Sequence, residues 1–554
     1  MAFALPRGLG PVRLTIIFLI LLSILVFRSY YLPVPGQPQA ASADSKNWLS
    51  GFQSGYVDDV SDVDPDRFSS VDDGDNSTLS DSSDASDNSD KSDSSGAAHL
   101  LDLAEEEYNE KTYKPTSWLP SEPDSSISYV DASNIPACRQ LPGADKVVVI
   151  VKTGATEAFA RLPQQLLTLA ECVPMFMVFS DMEQDMGDFH IYDALDEVGK
   201  EYKENHEDFK FYNQVHTAHA AHGDVSVLGS EKGWNLDKWK NIPMLHKAYT
   251  VYPDADWYMT IDADTYLGWT NLLLLLNKMD PEEPLYAGCV YWHGPTAFAQ
   301  GGTGYLLSKA SVKKFEDIRT PEKIADWEKE TSTICCGDVM LGVAMGHAGV
   351  SVSGAWPMFQ VDPPSGLTWS DSYWCKPAIT WHHSPTFEVE ALWDFEKEWL
   401  NKTWDDEDPG AVPYLFRDAF EYFVEPILTE EKADWDNLSG DMTYTKPKED
   451  HVKEDNDWDW KNDEEKQKMW DDLSELQKKS AESVKDCIEA CKDNTECVQW
   501  TWHPETCKLQ KSIKLGRTAD PKKETTSGWM LERVKAFKES RGDCEDATWS
   551  VDGR

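Results

Sequence analysis

The chain has 554 residues, with 52 Lys and Arg against 98 Asp and Glu, and a formal charge of −46 at pH 7. Its 40% hydrophobic and 11% aromatic content is enough for about three domains with cores of their own. A surface this acidic repels phosphate backbones, and no basic patch is set against it, which excludes a nucleic-acid binder.

The N-terminus carries the uncharged run LTIIFLILLSILVF between Arg13 and Arg28. As a helix it rises about 21 Å, short of a bilayer core of roughly 30 Å, but flanking Arg side chains snorkel and early secretory membranes are thinner. A cleavable signal peptide has an apolar region of the same length, yet the only small-residue site nearby, Ala41-Ser42-Ala43, lies far beyond it. The reading is a signal anchor over 14–31 with a cytosolic tail over 1–13. Arg7 and Arg13 before the run orient the rest of the chain into the lumen. Eleven cysteines fit an oxidising compartment, and the odd count leaves one thiol over. Asn76, Asn401 and Asn437 each open an Asn-X-Ser/Thr sequon, which fits the same compartment.

Residues 32–140 read as a disordered stem. Its centre, DGDNSTLSDSSDASDNSDKSDSSG, has too few large apolar residues to offset the entropy of ordering it.

After Pro142 the pattern becomes globular. KVVVIV (146–151) and MFMVFS (175–180) are short apolar runs of the kind buried in a parallel sheet, and RLPQQLLTLAECV between them reads as a helix. That order implies a right-handed crossover, with ligands gathering where strand carboxyl ends meet loops. Lys152, Thr153, Gly154 and Asp181 follow the two strands and so face that edge. A third strand, WYMTI (257–261), runs directly into Asp262-Ala263-Asp264 and then into a helix containing NLLLLL. Acids spaced this way recur at Asp62 and Asp64, Asp73 and Asp75, Asp254 and Asp256, and Asp457 and Asp459. Only the Asp262 copy lies between a buried strand and a buried helix, where its charges are costly unless neutralised. The two carboxylates fit a hard cation; a capped helix start is the alternative.

The passage DADWYMTIDADTYLGWTNLL resembles the signature of glycosyltransferase family 31, which includes the fringe enzymes and the core-1 β1,3-galactosyltransferases. Four further segments follow the order of that family: VKTGATEAFARL, QGGTGYLLSKASV, CCGDVMLG and AITWHHSP. The resemblance covers about residues 145–400. Two positions depart from it. The central Asp of the triplet is Ala263, and the acid before the Asp-Val pair is Gly337, which leaves Asp338 as the carboxylate there.

The resemblance implies an α/β fold of the GT-A nucleotide-diphospho-sugar transferase type, with a Rossmann-like mixed sheet. The implied reaction moves a sugar from a UDP-sugar to an acceptor hydroxyl with inversion. Mn²⁺ or another divalent cation would be held by Asp262, Asp264 and His382, with His383 as rival ligand. Asp338 is the expected general base, with a helix N-cap as its plain alternative. Lys152, Thr153, Arg161, Asp181 and Asp262 are the expected donor contacts, and Gly301 and Gly302, with Gly304 beside them, allow close backbone approach. Lys240 reads as a solvated helical lysine. Trp356, Trp369, Trp374 and Trp381 flank the presumed cleft, and Trp356 and Trp381 are the expected sugar contacts.

The tail changes character again. Residues 426–475 read as a charged linker, while DCIEACKDNTECVQWTWHPETCKL and TSGWMLER resemble a PAN/apple module over 476–544, a small disulfide-bonded α+β domain. Of three possible pairings, Cys491 with Cys497 and Cys487 with Cys507 is the expected one. The catalytic domain is placed at 141–425. The chain as a whole reads as a single-pass type II membrane protein of the Golgi or endoplasmic reticulum with a lumenal catalytic domain. Its expected partners are a UDP-sugar and a glycan or glycoprotein acceptor. The resemblance leans toward N-acetylgalactosaminide β1,3-galactosyltransferase; a fringe-like N-acetylglucosaminyltransferase and a non-catalytic lumenal chaperone or carbohydrate-binding protein are the alternatives.

Overall fold

The structure is a computed structural model and describes residues 136–230, 232–447 and 463–552. The expected cytosolic tail, the anchor over 14–31, Asn76 and nearly all of the stem lie outside these residues, as does the charged stretch 448–462. Among the described residues no helix is long and apolar enough to cross a membrane.

In chain order the strands of the first part are β1 (Val147–Lys152), β2 (Met175–Ser180), β3 (Gln184–Met186), β4 (Phe189–Asp193), β5 (Trp257–Asp262), β6 (Tyr266–Leu267) and β7 (Tyr286–Gly288). They continue with β8 (Val290–His293), β9 (Thr296–Ala299), β10 (Tyr305–Ser308), β11 (Val352–Gly354), β12 (Phe359–Gln360) and β13 (Thr380–Trp381). Eight form one sheet in the order β11-β7-β10-β5-β1-β2-β4-β3. At its centre β1 runs parallel to β2 and β5, while β10 is antiparallel to β5. Val147, Val149 and Val151 of β1 enter one hydrophobic core; Val148 and Ile150 enter the other. Burial on both faces is why these strands read as unbroken apolar runs. This mixed, parallel-rich sheet is compatible with the GT-A architecture.

The helices that bear on the cleft are α1 (Ala158–Leu167), α2 (Gly233–Asp237), α3 (Asn241–Val251), α4 (Trp269–Leu276), α5 (Lys309–Ile318), α6 (Gly337–His347) and α7 (Thr386–Thr403). Helix α4 is apolar nearly all round because it is buried nearly all round, and its one amide, Asn271, donates to the carbonyls of Ala378 and Tyr414 at 2.8 Å each. Helix α5 starts where Ser308 accepts a hydrogen bond from the Ser311 amide. A separate three-stranded sheet, β12-β13-β6, pairs Trp381 with both Gln360 and Tyr266.

The second part comprises β14 (Lys432–Ala433), β15 (Trp435–Asp436), β16 (Met442–Thr445), α8 (Val484–Asp493), β17 (Gln499–His503), β18 (Thr506–Gln510), β19 (Arg517–Thr518) and β20 (Thr526–Trp529). Its sheet has the order β14-β20-β17-β18-β16. The expected linker therefore needs correction, because two of these five strands, β14 and β16, come from within 426–475. Tyr444 of β16 is buried against Trp500 and the four cysteines of this part, an apolar anchor that the surrounding charge conceals in the sequence. Disulfides join Cys487 to Cys507 and Cys491 to Cys497.

Nor are the two parts loosely tethered. A disulfide joins Cys375 to Cys544, the Trp369 amide donates to the Ile513 carbonyl at 2.9 Å, and the Gly516 amide donates to the Ser365 carbonyl at 2.8 Å. Closing a loop of this length stabilises by about 5 kcal/mol on the chain-entropy account. Cys138–Cys172 and the adjacent Cys335–Cys336 complete the disulfides, and buried Cys289 is the thiol left over.

The Asn437 sequon is also corrected. Its side chain is 0% exposed: Nδ2 donates to the carbonyls of Trp500 and Gly528, and Oδ1 accepts from Ser439 and Thr501. Asn437→Ala strands several of these groups at once and is expected to cost about 3 kcal/mol. Urea unfolding checks the loss, and glycopeptide mapping is expected to find Asn437 bare.

Candidate functional site

The site is built on the carboxyl ends of β1 and β5. Their register sets Lys152 opposite Asp262, the last residues of the two strands. The turn that follows is clamped by Gln165 of α1, whose Nε2 donates to the carbonyls of Ala263 and Thr265 at 3.0 Å each. Ala263 points into the core, so the departure at the centre of the triplet leaves Asp262 and Asp264 as the half-buried carboxylates of the turn.

His382 is far away in sequence and is delivered by the small sheet. Strand β13 pairs with β6 just beyond Asp264, the His382 amide donates to the Gln360 carbonyl at 3.1 Å, and the Ser384 amide donates to the Asp264 carbonyl at 2.9 Å. The result brings His382 Nε2 to 3.5 Å from Asp264 Oδ1. Asp262, Asp264 and His382 each offer a ligand atom, and these lie within 4.8 Å of one another. Two carboxylates and an imidazole form a donor set suited to a divalent transition ion such as Mn²⁺. His382 Nδ1 has no hydrogen-bond partner. Burial pushes the His382 pKa down, but the Asp264 carboxylate outweighs that and raises it; Asp264 in turn is held low by His382 against its own burial. His383, the rival ligand, stacks on His382 at 3.8 Å with left-handed backbone (φ 53°) and lies outside the group of three.

Gly301 and Gly302 connect this group to Asp338. The Gly301 amide donates to Asp338 Oδ2 at 2.8 Å, and the Val339 amide donates to Oδ1 at 2.8 Å. The next residue, Gly302, packs so tightly on the imidazole that an added Cβ would lie 2.1 Å from His382 Cε1. Thr265 and Thr380 brace the segment by donating to the carbonyls of Gly302 and Thr303 at 2.6 Å. Asp338 occupies the first turn of α6, while Cys336 takes the N-cap position. Burial raises the Asp338 carboxyl to about 6, partly opposed by the Gly301 hydrogen bond and the charge of Lys152.

The expected donor contacts divide. Thr153 and Asp181 are buried beside one another, and Thr153 Oγ1 and Asp181 Oδ2 lack partners, which native interiors rarely tolerate without a ligand or water. Asp181 Oδ1 accepts from the Ala155 amide at 2.7 Å. Arg161 is half-buried and its charge reaches Asp264. Lys152 is a correction: instead of standing free for a phosphate, its buried ammonium lies 2.6 Å from Asp237 Oδ2 and 3.2 Å from Asp262 Oδ1. Lys240 is another. It is 2% exposed and donates to the Thr153 carbonyl at 2.7 Å, because the start of α3 packs against the loop after β1.

The aromatic expectations also divide. Trp381 is 0% exposed within a cluster of Trp369 and Phe416, and Trp374 is buried as well, so none of Trp369, Trp374 and Trp381 presents a ring face to a sugar. Trp356 is 50% exposed and stands edge-on to Tyr373. Asp237, Gln165, Asn241 and Glu157 were not singled out in the sequence: Asp237 and Asn241 come from a segment without period or motif, and Gln165 and Glu157 lie within segments whose pattern does not mark them. The Glu157 carboxyl, raised by burial, faces Arg161, Asp264 and Lys240.

Gly302→Ala is expected to displace the imidazole and lower Mn²⁺ affinity at least tenfold, the scale seen when a ligand loses its positioning. Isothermal titration of the metal checks this.

No protein-family model matches the chain. Among curated proteins it is similar to the Glycoprotein-N-acetylgalactosamine 3-beta-galactosyltransferase 1 of Xenopus laevis, at 29% identity over 132 residues. The match covers 23% of this chain and 36% of that protein, so it spans about a third of the relative's length.

Proposed function

We propose that the chain is an inverting, metal-dependent glycosyltransferase of the family 31 type. In this reading it transfers a sugar from a UDP-sugar to a hydroxyl of a glycan or glycoprotein. Galactose in β1,3 linkage is the favoured product, and a secretory membrane of the Golgi type is the favoured location. The observation that carries the reading is the pair of adjacent glycines: Gly301 touches Asp338 and Gly302 packs on His382, so a proton acceptor and the group of three lie on one short backbone segment.

Asp262, Asp264 and His382 would hold the divalent cation, which when bound supplies Lewis-acid stabilisation to the departing diphosphate. Thr153 Oγ1 and Asp181 Oδ2, both without partners in the fold, would receive the donor's nucleoside end. Asp338 would take the acceptor's proton while that oxygen bonds to the anomeric carbon and the bond to phosphate breaks, so one displacement inverts the centre. The Gly301 and Val339 amides hold the carboxylate for that task. Trp356 offers an exposed indole against which the acceptor sugar would stack.

A panel of UDP-sugars with Mn²⁺ tests the reading. Transfer or donor hydrolysis that disappears in Asp264→Ala supports it, and a panel without turnover opposes it. Asp338→Asn is expected to lower kcat by about 10²- to 10⁴-fold with little change in donor KM. The base must be ionised to act and its carboxyl lies at about 6. The kcat/KM profile is therefore expected to be level at neutral pH and to fall as pH drops through about 6; a limb near 4 would assign the base to another group.

A further inference from the structure

Of the buried cations around the site, Lys152 is the one in contact with a candidate metal ligand, Asp262. Lys152 is 6% exposed, and an unpaired ammonium at that depth costs several kcal/mol. Two acids compete for it: Asp237 at the end of α2, at 2.6 Å, and Asp262 at the end of β5, at 3.2 Å. The contact to Asp237 is a hydrogen bond, whereas Asp262 Oδ1 has no hydrogen-bond partner.

We propose that Asp237 is a positioning residue that draws the charge of Lys152 away from Asp262, leaving the Asp262 carboxylate available to a divalent cation beside Asp264. The inference rests on the metal-dependent reading and extends it to a residue on a separate helix. With Asp237 present, the charge of Lys152 is met by Asp237, and Asp262 keeps its own charge for the ion. Without it, Lys152 is left with Asp262 as its partner and offsets that ligand's charge.

The fold holds Asp237 for this role. An added Cβ on Gly337 would lie 2.3 Å from Asn241 Nδ2, 2.9 Å from the Asp237 carbonyl and 3.0 Å from Lys238 Cα. The segment 237–241 is thus pressed against the residue preceding Asp338, and Asn241 is fixed in turn by a hydrogen bond from the Tyr305 hydroxyl at 2.9 Å. Gly337 gives up a side chain so that Asp237 can stand this close.

The test measures Mn²⁺ affinity of the full-length chain by isothermal titration without donor, alongside thermal unfolding. Asp237→Asn is expected to weaken Mn²⁺ binding about 10- to 100-fold. Asp237→Glu should recover much of it, and adding Lys152→Met to Asp237→Asn should recover it by removing the surplus cation. Wild-type Mn²⁺ affinity in Asp237→Asn with a lowered melting temperature overturns the proposal, since the residue is then only structural. A double variant as weak as Asp237→Asn also overturns it. Mn²⁺ binding that depends on Asp237 in a protein without transfer activity supports this inference and removes the transferase reading. Absence of Mn²⁺ binding by the wild type overturns both.

Discussion

Lys152 ends β1 and Asp262 ends β5, and parallel pairing of these strands makes the two residues neighbours at the carboxyl edge of the sheet. Everything else in the site is arranged around that contact. Burying a lysine among acids is costly for each charge taken alone and tolerable only when the group is nearly balanced and well placed. The central strands are covered on both faces, so the backbone that carries these charges has little freedom to relax. Geometry fixed by a rigid sheet is what a catalytic centre needs, because small displacements of a ligand or a base are expensive in rate.

The remaining groups reach the site through short, local devices. Strands β6 and β13 have only two residues each, yet their pairing carries His382 to Asp264 across a long stretch of chain. Gln165 holds the acidic turn, and two glycines let the backbone lie between imidazole and carboxylate. The C-terminal part contributes from outside. It pairs with the segment around Ser365 and Trp369, which follows β12 and lies near the histidine, and Lys514 from this part bears electrostatically on Asp362. That attachment ties the C-terminal part to the segment between β12 and β13.

Much of this was legible where a physical pattern forces composition. Strands β1, β2 and β5 had to be continuous apolar runs, and an acidic pair caught between buried strand and buried helix stood out from the same spacing in solvated surroundings. Other features leave no such trace. Asp237 acts through one contact and Gln165 through two, at positions that look like ordinary helix surface in the sequence. Lys240 read as solvated for the same reason, since its carbonyl partner becomes adjacent only when α3 docks. Trp381 was misread because aromatic density marks a cleft without saying which rings face it. In 426–475 the charges outnumber the few apolar residues that enter the sheet, and Asn437, a sequon by its letters, is a buried hub by its contacts.

The central claim is that Asp262, Asp264 and His382 grip a divalent ion in the same hollow as Asp338. A crystal of the protein grown with Mn²⁺ and UDP, measured at the manganese absorption edge, tests it directly. The expected result is an anomalous peak bounded by the two carboxylates and the imidazole, with the diphosphate against it and Asp338 facing the open side. A diphosphate bound elsewhere, or a manganese peak that leaves these three side chains untouched, would contradict it.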